Sequence, residues 1–435
     1  MDSGFQEKLQ AIAAKVQENK YLKSVTEGLN AILPVMIIGA FSSLLSGMAI
    51  EPYQNFITST GLKPILALPS TVTLDLLSIY AVFFIAYRLT VNLGKEGGAG
   101  GLAALISFFI LTPLGNLASV GADGVVTAGG GAIPTQYLGA QGLFVAIFVG
   151  LISARLYAWV VDRGWMIKMP AGVPPTVSKS FSALIPSALV VIFFVVFAAI
   201  FRTTSYGSAH AFVYSLVQAP LQNLGGNLYS LIIMTLVVHV LWMFGIHGMM
   251  VILPIYLTVW FALGAENLEV FNAAGGSFEN LPNIVNTAFF GTFVLLGGSG
   301  ATLGLNFLML RAKSQRYKTL GRLALPGSLF GINEPIIFGM PVVLNPILAV
   351  PFILAPLANA VIPYLLMSTG IIHKLNGFPL SLGTPVIMTA LLSGTIIIVV
   401  VQVLLVVLDA LIYWPFFRTL DKQAYEQEQA EIPAE

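Results

Sequence analysis

Long apolar runs recur along this chain from about Ala31 to Phe417, and no other feature constrains its fold more. A helix needs about 20 mostly apolar residues to cross the hydrocarbon of a bilayer. Runs of that kind extend from about Ala31 to Ile50, Leu74 to Leu93, Leu102 to Val120, Leu143 to Val161 and Phe181 to Phe201. After a gap come Leu228 to Phe244 and Met249 to Gly264. Ile284 to Leu310, Val342 to Met367 and Val386 to Phe417 are apolar but interrupted. Only 9% of the 435 residues are charged and 57% are hydrophobic, more apolar material than a soluble core can hide. Lipid must solvate most of the surface.

The placement of charge sets the expected topology. Cytoplasmic loops carry an excess of Lys and Arg. With about ten crossings, the N-terminal lysines, Arg88 and Lys95, Arg155 to Lys179, the cluster Arg311 to Arg322, and Arg418 with Lys422 all fall on one side. Of the 20 basic residues only Lys63, Arg202 and Lys374 fall opposite. Both termini are then cytoplasmic. For this parity to hold, Arg322 to Pro341 cannot cross. Its Leu-Pro-Gly-Ser-Leu-Phe-Gly-Ile-Asn-Glu-Pro sequence breaks a helix repeatedly, because Pro removes a hydrogen bond and Gly loosens the backbone. Non-helical backbone in a membrane is tolerated where protein or a water-filled cavity covers it. A re-entrant hairpin fits, and Gly297 to Thr302 invites the same reading. The expectation is an all-α polytopic membrane protein with about ten transmembrane helices, two re-entrant hairpins and amphipathic surface helices.

Phe5, Leu9, Ile12 and Val16 share one helical face, as in a helix lying on a membrane. Ala211 to Asn227 is a second candidate of that kind. The expected organisation is a scaffold over 1–205, a transport domain over 206–420 and a polar, disordered cytoplasmic tail over 421–435. The absence of cysteine excludes disulfides, thiolate metal sites and any phosphocysteine on this chain. The first long apolar run starts too late for a cleavable signal peptide. No Walker loop, metal-ligand spacing or basic-aromatic tract appears, so ATP hydrolysis, a metal, a cofactor and nucleic acid are all unexpected. An ion gradient or a partner must supply the energy for transport.

Ionisable residues at membrane depth are expensive unless paired or hydrated. The candidates are Asp75, His239, His247, Glu334 and Asp409. Glu334, inside the broken Gly331-Ile332-Asn333-Glu334-Pro335 segment, either meets a polar ligand beside the Asn333 amide or caps loose backbone N–H groups. His247, in the break Gly245-Ile246-His247-Gly248, either binds a ligand through its imidazole or caps a turn. His239 lies about 80° around the helix from His247 and reads as a packing residue. Asp75 and Asp409 lie near span ends and read as structural residues reaching water. Trp242 and Phe338, close in sequence to His247 and Glu334, are the aromatics best placed to stack on a sugar. Phe244 and Phe378 have weaker claims.

The run Gly331-Ile-Asn-Glu334-Pro335-Ile-Ile-Phe338-Gly339-Met-Pro341-Val-Val-Leu-Asn345-Pro346 resembles the membrane IIC component, or permease, of bacterial sugar phosphotransferase systems. The likeness is to the lactose/cellobiose/diacetylchitobiose family. Trp242-Met-Phe-Gly-Ile-His247-Gly and Gly-Gly-Ser-Gly-Ala-Thr resemble the same family, and the likeness covers essentially the whole chain. The resemblance implies a homodimer in the cell membrane, joined through its first five helices. The second half would bind one disaccharide and carry it across by a rigid-body shift. A separate cytoplasmic IIB subunit would then pass a phosphoryl group from its cysteine to the sugar's 6-hydroxyl. Glu334 would hydrogen-bond that hydroxyl and help remove its proton, while His247 and Asn333 hold neighbouring hydroxyls. Arg311 to Arg322 is either a docking surface for IIB or a plain topology signal. Two other readings stand beside this one: a proton-coupled sugar transporter using Glu334 and His247, and a channel-like facilitator.

Overall fold

The computed structural model describes Lys15 and residues 18–430, except 48–50, 114, 121–125, 134, 171, 219, 221–223, 341, 343–344 and 382. The surface helix expected on Phe5, Leu9, Ile12 and Val16 lies outside the described residues. Two compact units emerge, Glu18–Gln222 and the part from Asn223 onward. Among the described residues seven helical segments are long and apolar enough to cross a membrane. They are Lys20–Gly47, Leu62–Asn92, Ala140–Asp162, Pro175–Thr203, Gly248–Ala273, Ile347–Ser368 and Ile396–Ala430. Gly97–Leu111 and Leu228–Met243 are shorter apolar helices.

The first unit contains α1 (Lys20–Ala31), α2 (Leu33–Gly47), α3 (Glu51–Ser59), α4 (Leu62–Thr73), α5 (Leu77–Asn92) and α6 (Gly97–Leu111). An antiparallel hairpin of β1 (Gly115–Val120) and β2 (Val126–Ala132) follows. Then come α7 (Leu143–Asp162), α8 (Pro175–Thr203) and the short α9 (Ala209–Val213), which runs into a wider π turn at Tyr214–Gln218. Helix α5 is central and packs on α1, α6 and α7. Small residues allow this closeness, as expected where lipid supplies no hydrophobic drive between helices. A side chain at Gly100 of α6, for example, would collide with Thr90 of α5. The crossing expected from Leu102 to Val120 is corrected: its helix stops at Leu111, and Gly115–Val120 pairs as a strand.

The second unit begins with α10 (Leu228–Met243) and α11 (Gly248–Ile255), the latter continuing through a π turn (Tyr256–Trp260) into α12 (Phe261–Ala273). Next are α13 (Thr287–Phe289) with its π turn (Phe290–Val294), then α14 (Leu303–Met309), α15 (Gln315–Leu329) and α16 (Glu334–Gly339). The unit closes with α17 (Pro346–Ser368), α18 (Val386–Ser393) and α19 (Ile396–Ala430). Trp260, Phe289, Phe290, Phe293, Phe352 and Tyr413 are fully buried in its core. The Ile284 to Leu310 stretch is not one helix; the glycine-rich turn before Thr302 divides it. Between α17 and α18 the chain is extended, and buried amides hold it. Asn267 Nδ2 donates to Leu375 O at 2.8 Å, and Asn376 Nδ2 donates to Leu392 O at 3.1 Å.

The polar tail differs from expectation, because 421–430 continues α19 as helix. The carboxylates that make it polar cap the start of α15, whose first N–H groups have no partner within their own helix. Asp421 accepts from Lys313 N and Ser314 N, both at 3.0 Å. Glu428 accepts from Ser314 Oγ at 2.7 Å and from Gln315 N and Arg316 N, both at 2.9 Å.

Candidate functional site

Two breaks of the same design carry the site residues. Helix α10 ends in a Schellman motif: Gly245 takes φ +76°, Gly245 N donates to Trp242 O, and Ile246 N donates to Leu241 O. Helix α15 ends identically: Gly331 takes φ +75°, Gly331 N donates to Ser328 O, and Ile332 N donates to Gly327 O. Each glycine is followed by Ile and then by the N-cap of the next helix, His247 for α11 and Asn333 for α16. The echo between Gly-Ile-His and Gly-Ile-Asn is too short to register as a sequence repeat. Its meaning appears only when both tripeptides prove to be helix-to-helix joints.

At the first joint, His247 caps α11 as Nδ1 accepts from Met250 N at 3.4 Å. Trp242 is 5% exposed, its ring lies 4.6 Å from the His247 ring, and its Nε1 has no partner among the described residues. At the second joint, Ile336 N and Ile337 N donate to Asn333 O at 2.9 and 3.0 Å. Glu334 therefore is not needed as a backbone cap. Its carboxylate is exposed at the first turn of α16, makes no hydrogen bond among the described residues, and lies within electrostatic range of His247. A helix N-terminus favours such a negative charge. Asn333 turns inward instead: it is 4% exposed, and Nδ2 donates to Ser299 O at 2.6 Å and Thr302 Oγ1 at 2.7 Å. The glycines there make room, since a Cβ on Gly298 (φ +99°) would stand 2.5 Å from Asn333 Cγ.

Glu334 and His247 thus lie within electrostatic range of each other, Trp242 packs against the imidazole, and Asn333 locks the glycine-rich turn. Phe338 is 69% exposed, whereas Phe378 is buried and unavailable for stacking. His239 is fully buried and its Nδ1 bonds Thr235 O at 2.7 Å, a packing arrangement. Asp75 is half-buried where α4 meets α5. Asp409 is corrected: it does not reach water but is fully buried in α19, where Oδ2 accepts from Asn359 Nδ2 at 2.9 Å. The seat of Asn333 was not legible in sequence, although Ser and Thr within a glycine run were a faint signal.

A carboxylate with free acceptor capacity, a nearby imidazole and a buried aromatic suit a neutral, hydroxyl-rich ligand. Comparison with known proteins agrees. The family model "Phosphotransferase system, EIIC" matches residues 28–356. The chain is 36% identical to the lichenan permease IIC component of Bacillus subtilis (strain 168), over 97% of this chain and 94% of that protein. It is 34% identical to the cellobiose-specific EIIC component of Geobacillus stearothermophilus, over 98% and 95% respectively. The crystal structure of ChbC, the IIC component of the N,N'-diacetylchitobiose-specific system, superposes with TM-score 0.90 at 36% identity. That match covers 98% of this chain and 100% of ChbC. The chain therefore belongs to the EIIC family of the phosphotransferase system, the membrane-embedded sugar permeases of that system.

Proposed function

We propose that this multi-pass permease carries a β-linked disaccharide, cellobiose first among the candidates, and presents its 6-hydroxyl to a phosphorylated cytoplasmic IIB subunit. The specificities of the relatives, named for lichenan, cellobiose and diacetylchitobiose, support the substrate class. Glu334 orients the attacking hydroxyl and accepts its proton as the new O–P bond forms and the S–P bond to the partner's cysteine breaks, releasing thiolate. Phosphoryl transfer depends mainly on positioning and electrostatics, so a carboxylate at this point contributes without being a nucleophile. His247 holds a neighbouring hydroxyl, and the buried Trp242 packs against its imidazole. Asn333, whose two amide hydrogens are committed to Ser299 and Thr302, offers its carbonyl oxygen. The protein works as a homodimer with both termini in the cytoplasm. The 1–205 part serves as scaffold, and 206–420 carries the sugar.

The observation that carries this reading is the exposed Glu334 carboxylate, free of any hydrogen bond among the described residues and within electrostatic range of His247. The proton-coupled alternative finds no support in the family assignment. Glu334→Gln is expected to retain cellobiose binding and lose phosphorylation by about 100-fold. Phosphorylation at the wild-type rate in that variant removes Glu334 from the chemistry.

A further inference from the structure

A residue far from every recognised motif holds the turn on which the Glu334 joint rests. Tyr413, in α19, is fully buried, and its hydroxyl donates to Gly300 O at 2.7 Å. Gly300 takes φ +84° and has no room for a side chain, because the Phe352 ring of α17 fills that space. On either side of Gly300, Ser299 O and Thr302 Oγ1 receive the two bonds from Asn333. The glycine-rich turn is therefore gripped from two directions, by α19 through Tyr413 and by the Glu334 joint through Asn333. Asp409 lies one turn before Tyr413 on the same face of α19. Its bond from Asn359 of α17 fixes α19 against the helix that also supplies Phe352. Hydrophobic packing alone would be met by Phe at 413 and by an aliphatic residue at 409. Both polar groups instead bond out of their helix to neighbouring elements.

We propose that Tyr413 is a positioning residue for sugar phosphorylation, acting through the glycine-rich turn and Asn333 on the seat of Glu334. This rests on the reading that Glu334 orients the sugar hydroxyl. Without the Tyr413 hydroxyl, Gly300 O is left buried and unpaired. The turn then relaxes, and Asn333 follows it. Displacement of a reacting geometry by less than an ångström lowers rate far more than affinity.

The test uses full-length protein in liposomes, cellobiose and phosphorylated IIB, with kcat and KM measured separately. Tyr413→Phe is expected to lower kcat about tenfold while KM stays within about twofold. Tyr256→Phe serves as the control. It deletes a hydroxyl donating to Thr287 O at 3.3 Å in the same unit but outside the brace, and should leave kcat unchanged. Glu334→Gln is run in parallel. If it is inactive while Tyr413→Phe turns over like wild type, the positioning role is overturned alone. If Glu334→Gln is itself active, the underlying reading of Glu334 falls and the proposal falls with it. Should Tyr413→Phe fail to bind cellobiose, the split is read on Asp409→Leu, which deletes the acceptor for Asn359 Nδ2; a similar kcat loss supports the brace and an unchanged kcat overturns it.

Discussion

Substitution of Asn333 separates two ways in which the Glu334 joint is held. In Asn333→Ala, Ser299 O and Thr302 Oγ1 lose bonds of 2.6 and 2.7 Å in a setting that is 4% exposed. A buried polar group left unpaired costs about 1–3 kcal/mol. Thr302 Oγ1 still donates to Gly297 O at 3.0 Å, which puts its share at the low end. The expected destabilisation is therefore about 2–4 kcal/mol. Asn333→Asp keeps the shape but sets a carboxylate oxygen against the Ser299 carbonyl, where a donor is required, and adds a second negative charge beside Glu334. It should be worse than the alanine variant, by about 1–2 kcal/mol. Thermal unfolding of the detergent-solubilised protein reads the ranking, wild type above Ala above Asp. Cellobiose titration of the same samples shows whether binding follows. An Asn333→Asp protein as stable as wild type would refute the argument, because its stability would mean that the amide does not donate to the turn.

Three further outcomes follow from separate parts of the molecule. Gly331→Ala forces a Cβ into φ +75° with no steric neighbour within 4 Å, so strain alone should cost about 1–2 kcal/mol. Gly331→Asn should cost less in the same melting experiment. Glu428→Ala removes the acceptor for Ser314 Oγ, Gln315 N and Arg316 N, and hydrogen exchange should speed up at Gln315 and Arg316 without spreading to α10. Burial pushes the His210 imidazole down to about 4, so it is neutral in the fold. With the folded value depressed, the stability it contributes is complete above the unfolded value of 6.5 and is lost as pH falls from there towards 4. His210→Gln should show a smaller drop in melting temperature between pH 7.5 and 5; an identical drop argues against burial of a neutral ring.

Most of the architecture was legible because a membrane span is a property of a contiguous run. The Arg322 to Pro341 stretch was recognisable as a broken element for the same local reason, and it proves to be α15, a Schellman turn at Gly331 and α16. Legibility failed where the deciding partner is distant. Leu102 to Val120 is mostly apolar, yet its helix stops ahead of Pro113 and pairing with Val126–Ala132 takes its last six residues into a hairpin. The tail from Asp421 looks solvated by composition, but its acids serve as caps for a helix about a hundred residues earlier. Asp409 looked like a span-end residue because nothing in its own segment names Asn359 as the partner. Glu334 and His247 could be selected from ionisability and broken helices. The inward turn of Asn333 required knowing that the glycine-rich segment lies against it.

The central claim is that sugar enters as a substrate for phosphorylation. The direct measurement places purified protein in liposomes with a panel of labelled disaccharides, with and without phosphorylated IIB, and identifies what accumulates inside. Accumulation of cellobiose phosphate that depends strictly on IIB is the predicted result. Free disaccharide concentrated by a proton gradient, with no need for IIB, would contradict the account and make Glu334 a proton carrier.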